Sequence, residues 1–413
     1  MPEPEPTATA PRRLRGFGLS VRGLMVAVLV LGGTLGLLAY RARVQREAIA
    51  TIRAAGGEVV YDWDWDNRNW RVLNRIPWPR WLVDAVGVDY LGSIVRVDPG
   101  NSPKPFGDAE MAAIGRLDRL RWLGLHGTGA TDAGLAHVRG LSQLEMITLG
   151  GTVVTDAGLA HLRDLPRLKK VSCEFGATSG ITRAGLEGLP HLEELEWGSD
   201  AVATDADLAE LAGLVQLRQL MMLCPNVTDA GVAHLKNLKG LRFLQLALAP
   251  VTDAGLVHLI GLPHLESLFL QGSKVATLEP LRGHPTLKSF NLQGATVNAA
   301  GLATLASLPR LELISATGPG LTDAGLASLG GHPTLKSLYL GDSAITDAGL
   351  ATLPTLPRLE EVDLSGSPGI TDAGLPRLAG MAALRELRVQ GTKVTPAGAA
   401  ASRKIMPRAN INP

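Results

Sequence analysis

Histidine is where catalytic or metal chemistry would first be sought in this sequence. His137, His161, His234 and His258 recur at one position of a repeated segment, and His191, His264, His284 and His332 recur in Leu-Pro-His or Gly-His-Pro linkers. Stacked copies would bring His137 near His161 and His234 near His258, but without the thiolate or carboxylate that completes a zinc site. The pattern points instead to repeated solvated side chains. Asp62-x-Asp64-x-Asp66 has the spacing of a calcium loop, yet its sixth position is Asn67 and its twelfth is Leu73, so a main ligand is missing. No Gly-x-Ser-x-Gly elbow, phosphate-cradling loop or zinc-protease motif occurs in the sequence. We therefore expect no catalytic residues, no metal and no cofactor.

The elements that would position any site are set by repetition. Thr-Asp-Ala-Gly-Leu occurs at Thr131, Thr155, Thr252, Thr322, Thr346 and Thr371, and as Thr-Asp-Ala-Gly-Val at Thr228. Each copy follows a pattern such as Leu335-x-x-Leu338-x-Leu340. Repeats open at Leu120, Leu144, Leu168, Leu192, Leu217, Leu241, Leu265, Leu287, Leu311, Leu335, Leu359 and Leu384, and Val95 and Val97 read as a degenerate first strand. Within a unit, Leu338 and Leu340 alternate with Ser337 and Tyr339, which predicts a short strand with one buried face. Thr346 suits a helix N-cap, and Asp347 meets the positive end of the helix dipole. One unit cannot bury its leucines alone, so neighbours must stack. The prediction is an α/β solenoid, with a parallel sheet on the concave face and short helices on the convex face.

Composition agrees with thin stacked layers: 46% of the 413 residues are hydrophobic but only 4% aromatic. A net charge of +1 argues against nucleic acid as a partner. Cys173 and Cys224 lie two repeats apart, about 10 Å for stacked strands, beyond the ~7 Å that a disulfide spans. Residues Gly23 to Tyr40 carry no charge and would extend about 27 Å as a helix, enough to cross a bilayer core. A cleaved signal peptide is the rival reading, disfavoured by the absence of a small-x-small site near Ala39. Arginines flank both ends, so the positive-inside count is nearly a tie. The short Arg-rich tail favours repeats on the non-cytoplasmic side. The expected layout is a disordered basic tail (1–22), a transmembrane helix (23–40), a juxtamembrane helix with a Trp-rich N-terminal cap (41–93), the solenoid (94–394) and a C-terminal cap (395–413). The tryptophans from Trp63 to Trp81 read either as that cap or as interfacial anchors.

The LxxLxL pattern followed by Thr-Asp-Ala-Gly-Leu resembles the leucine-rich-repeat superfamily, in its ribonuclease-inhibitor-like and F-box-associated, cysteine-containing branch. The likeness runs from about Val95 to Ile411. The apolar segment followed by Gly56-Gly57-Glu58-Val59-Val60-Tyr61-Asp62 is similar to membrane-anchored leucine-rich-repeat proteins of bacteria such as planctomycetes. Where the family places Cys or Asn after the strand, this chain has Thr128, Thr152, Ser273, Ser343, Ser367 and Thr392, whose hydroxyls can bond the turn backbone in a weaker ladder. No F-box module is visible before the repeats, so a ubiquitin-ligase role is not implied.

What varies between units is the exposed set on the strands: Trp122, Met146, Glu194, Glu196, Met221, Phe243, Gln245, Phe269, Asn291, Tyr339, Asp363 and Arg388. Aromatic and methionine anchors ringed by polar groups have the composition of protein-contact hot spots. The sequence therefore predicts a single-pass membrane protein, not an enzyme, that binds a protein partner on its concave face. A carbohydrate or cell-envelope ligand on the same face is the alternative.

Overall fold

The computed structural model describes residues 21–66, 71–73, 76–99, 106–173, 180–197 and 203–412. Helix α1 (Val21–Ala54) is one continuous helix of 34 residues. It is long and apolar enough to cross a membrane, and none of its apolar stretch is buried in the protein. Its second half behaves differently: Ala48, Ile49 and Ile52 are buried in the core. The helix stops where Gly56 adopts φ +85°, a left-handed conformation that glycine tolerates, and Gly57 N–H donates to the Ile52 carbonyl. Strand β1 (Glu58–Tyr61) then pairs antiparallel with a later strand, Ile94–Asp98.

From Ile94 onward each strand pairs parallel with the next, and among the described residues fifteen strands form one sheet that ends at Asn410–Asn412. Register is kept throughout, because a one-residue slip would turn every buried side chain outward. One core row runs Val97, Leu123, Ile147, Val171, Leu195, Leu220, Leu244, Leu268, Phe290, Ile314, Leu338, Val362, Leu387 and Ile411, all buried. Each such aliphatic residue contributes roughly 1.5–3 kcal/mol on burial.

The opposite side is built from short helices, several of which, such as Asp132–Leu135, run directly into a 3₁₀ turn, here Ala136–Val138. Four residues make too little helix to stand alone, and the repeated motif supplies what is missing by linking units. Thr252 caps its own helix by accepting from Ala254 N–H at 3.2 Å. Its backbone N–H and hydroxyl both donate to the preceding unit's Asp229, at 2.8 and 2.6 Å. The aspartate thus does more than face a dipole, as the sequence suggested: it is a rung between repeats. Equivalent rungs join Asp108 to Thr131, Asp132 to Thr155, Asp156 to Thr182, Asp205 to Thr228, Asp253 to Thr277, Asp323 to Thr346, Asp347 to Thr371 and Asp372 to Thr395.

The motif's glycine completes the joint. A Cβ on Gly255 would lie well inside contact distance of Asp229 Oδ1 and 2.9 Å from Val251 Cγ1. The rung is absent where Arg183 or Ala299 replaces the aspartate. Thr204 then turns to Asp207 in its own first turn, at 2.8 Å. In the shortened repeat Asp253 also accepts from Leu278 N–H at 3.0 Å, which holds that leucine at φ +57°.

Two other expectations can be placed here. Cys173 and Cys224 are both buried, and burial pushes the Cys224 thiol up to about 12. The turn hydroxyls do bond backbone: Thr128, Thr152 and Thr392 donate to the carbonyls of Leu125, Leu149 and Val389 at 2.6–2.7 Å. Ser343 and Ser367 bond each other at 2.8 Å and also accept from backbone, Ser343 from Ile345 N–H at 3.4 Å and Ser367 from Ser343 N–H at 3.2 Å, whereas the buried Ser273 hydroxyl has no partner among the described residues.

Candidate functional site

The sheet's open face carries two parallel rows of side chains. The first holds Trp122, Met146, Lys170, Glu194, Gln219, Phe243 and Ser267, each paired with the next. The second holds Glu196, Met221, Gln245, Phe269, Asn291, Ser315, Tyr339, Asp363 and Arg388. The sequence-predicted residues all fall on these rows, but they do not form one surface.

At the N-terminal end the prediction of exposure is corrected. Trp122 is 9% exposed and Met146 8%. The Arg96 guanidinium lies 4.0 Å from the Trp122 ring centroid, a cation–π contact from a residue 26 positions away. These two side chains are consumed by the protein's own packing. At the C-terminal end Tyr339, Asp363 and Arg388 are half-buried but already tied together. Tyr339 hydroxyl donates to Glu361, Arg388 Nε donates to Glu386 at 2.8 Å, and another Arg388 nitrogen lies 3.7 Å from Asp363. Burial and the Glu361 carboxylate push the Tyr339 hydroxyl upward. Asn291 turns its amide oxygen to Gln293 N–H at 3.2 Å.

The middle is less committed. Phe243 and Phe269 meet edge to face, with centroids 4.9 Å apart and planes at 68°, and both remain partly exposed. A T-shaped pair is a stable arrangement in itself. Beside it, Met221 and Gln245 border a shallow depression of about 360 Å³ with Glu196, Ser172 and His126. Glu196 pairs with Lys170 at 3.1 Å, and Glu194 accepts from Gln219 at 3.1 Å. The Glu194 carboxyl is held above the usual range, first by burial and then by Glu193 and Glu196, against the pull of Lys170 and Lys169. Perturbed carboxyls of this kind gather at working surfaces.

Sequence reasoning missed a third row at the edge where the strands begin, although its signal was present. The residue after each repeat-opening leucine is charged, and its sign alternates: Arg121, Glu145, Lys169, Glu193, Arg218, then Arg242, Glu266, Lys288, Glu312, Lys336, Glu360, Arg385. Arg121–Glu145, Lys288–Glu266 and Lys336–Glu312 are in contact at 2.6–2.7 Å.

Histidine placement also corrects one expectation. His284 and His332 are buried, not solvated. His332 Nε2 lies 2.9 Å from the Leu308 carbonyl one repeat back. Burial holds His284 below the ordinary imidazole value. Among the described residues no three His, Cys, Asp or Glu side chains are grouped to hold a metal ion.

The architecture is an α/β repeat solenoid whose units share one parallel sheet. Residues 331–353 match the family described as Leucine Rich repeat, and the chain has the leucine-rich-repeat fold. An internalin (inlF) of Listeria monocytogenes superposes with a TM-score of 0.52 at 18% identity, covering 77% of this chain and 86% of that one. A chain of the Rad7 and Elc1 complex of yeast gives 0.50 at 15% identity, covering 95% and 97%. No curated protein matches the sequence.

Proposed function

We propose that this protein is a membrane-anchored, non-enzymatic scaffold whose concave face captures a protein partner around Phe243 and Phe269. The observation that carries the reading is the partly exposed edge-to-face pair set beside Met221, Gln245 and the half-buried carboxyl of Glu194. Leucine-rich-repeat folds commonly mediate protein–protein interaction, and solenoids offer extended binding surfaces. The similar yeast chain was itself solved in a complex with another protein. The reading includes the ribonuclease-inhibitor-like repeat type, a single membrane crossing by Gly23–Tyr40, and repeats on the non-cytoplasmic side.

Crosslinking with mass spectrometry from native membranes tests it. Crosslinks from the Phe243–Phe269 region to one protein should disappear in the Phe243→Ala/Phe269→Ala chain while its melting temperature stays close to wild type. Crosslinks that persist unchanged would move the site elsewhere. Affinity of the purified chain for polysaccharide, with no protein present, would establish the carbohydrate alternative. Retention in carbonate-washed membranes tests the crossing, and protease access to the repeats in sealed vesicles tests the side.

A further inference from the structure

The charge row at the strand-entry edge contains one phase slip. Along Arg121, Glu145, Lys169, Glu193 and Arg218 every neighbour is of opposite sign, and so it is from Arg242 through Glu266 and Lys288 to Arg385. Within this row, Arg218 and Arg242 alone set like charges on neighbouring units. Their remaining partners are shared ones. Arg218 lies 3.7 Å from Glu193, which Lys169 already approaches at 3.5 Å. Arg242 lies 3.8 Å from Glu266, whose lowered carboxyl is held chiefly by Lys288 at 2.7 Å. Both guanidiniums are about half exposed and face a shallow depression of about 380 Å³ that also touches His191, Glu193, Gly240 and His264. Like charges side by side repel, and a third group of opposite sign between them would relieve both at once. Directly after Arg242 in the chain comes Phe243.

We infer that the Arg218–Arg242 step binds a carboxylate from an acidic peptide segment of the partner, with a neighbouring apolar side chain of that segment resting on Phe243 and Phe269. Guanidinium forks pair carboxylates in bidentate fashion, so two adjacent forks favour a peptide acid over a diffuse cationic contact. The inference rests on the proposed concave contact and extends it by one row.

A random peptide library displayed on phage, selected against the full-length chain in mild detergent, supplies the probe. Selected peptides should carry Asp or Glu next to an apolar residue. Synthetic copies should lose at least tenfold in affinity for the Arg218→Glu/Arg242→Glu chain and bind more weakly as salt rises. Melting curves check folding, and Arg242→Gln, expected to cost severalfold, covers the case in which the double reversal does not fold. Peptides without acidic bias that depend on Phe243 and Phe269 would overturn the carboxylate site and leave the concave reading standing. Acidic peptides lost in the arginine variants but indifferent to Phe243→Ala/Phe269→Ala would retain the arginine site and remove the concave reading. Failure to select any peptide would count against both. Displacement by millimolar sodium phosphate as effective as by the peptide would reassign the site to a free anion.

Discussion

Two ladders run along this solenoid, and they close in different ways. On the helical side every intact rung satisfies itself: Asp229 accepts two bonds from Thr252, and Gly255 leaves room for the carboxylate. On the strand-entry edge the Arg218–Arg242 step leaves each cation with a shared carboxylate. The carboxyls repeat the contrast. Burial works to raise Asp253, but hydrogen bonds from Thr277, Leu278 and Ala276 win and hold it low. Glu194, on the open face, is held high. Residues that recur in every unit have partners supplied by the next unit. Among those that vary, Trp122, Tyr339 and Arg388 are also taken up by the chain, whereas Phe243 and Phe269 stay partly exposed.

The largest break in the helical ladder should come from Gly255→Ala. Its Cβ overlaps the Asp229 carboxylate and crowds Val251. Either the rung opens or two units separate, and we expect a loss of about 2–4 kcal/mol, read as a fall in the denaturant midpoint. Asp229→Ala should follow at about 1–3 kcal/mol, because Thr252 N–H and hydroxyl lose their acceptors without a steric clash. If Asp229→Ala proved as harmful as Gly255→Ala, the glycine's role would be the bond alone, with no part for space.

The ladder can also be extended. Ala299 stands where other units carry the aspartate, yet Gly325 is still glycine, and a Cβ there would sit 2.9 Å from Ala299 Cα. Thr322 caps its own helix through Gly325 N–H. Ala299→Asp should therefore supply the missing rung to Thr322 and raise stability by about 1 kcal/mol. A variant that melts at or below wild type would mean that the interval between these units differs from the rest.

How much of this was legible in the sequence follows from how far each interaction reaches. The leucine rows and the threonine caps depend on neighbours within a few residues, so periodicity revealed them. The rung spans 23 residues between Asp229 and Thr252, and a pattern read one unit at a time cannot show which groups meet. The same distance hid the fate of Trp122. Its strand position said exposed, while Arg96, one strand earlier, covers its ring. Tyr339 and Arg388 lay on the expected row, but their ties to Glu361 and Glu386 depend on register across strands. His284 and His332 read as linker residues, and only stacking buries them. The charge row was readable as an alternation after each opening leucine, broken once between Arg218 and Arg242.

The subtlest effect lies in the pH dependence of the two carboxyl classes. A carboxyl whose folded pKa is depressed, as at Asp253, contributes stability that is present above its unfolded value near 4 and is lost as pH falls through the folded one. Glu194 has the opposite sign. Its folded pKa lies above the unfolded value of about 4.3, so the folded state binds the proton more tightly, and stability is lost as pH rises between the two values. Glu194→Gln removes that loss. Referred to wild type, the variant should grow more stable as pH rises through this window, then keep a constant difference at higher pH, as measured by chemical denaturation at a series of pH values. Asp253→Asn should shift the curve the other way, losing most above the carboxylate range and least in acid. Equal slopes for the two variants would erase the distinction between a carboxyl satisfied by its own chain and one held in reserve on the open face. A partner cation that approaches Glu194 should lower its pKa. The slope that Glu194→Gln removes should then shrink when the partner is bound, whereas the Asp253→Asn slope should not change.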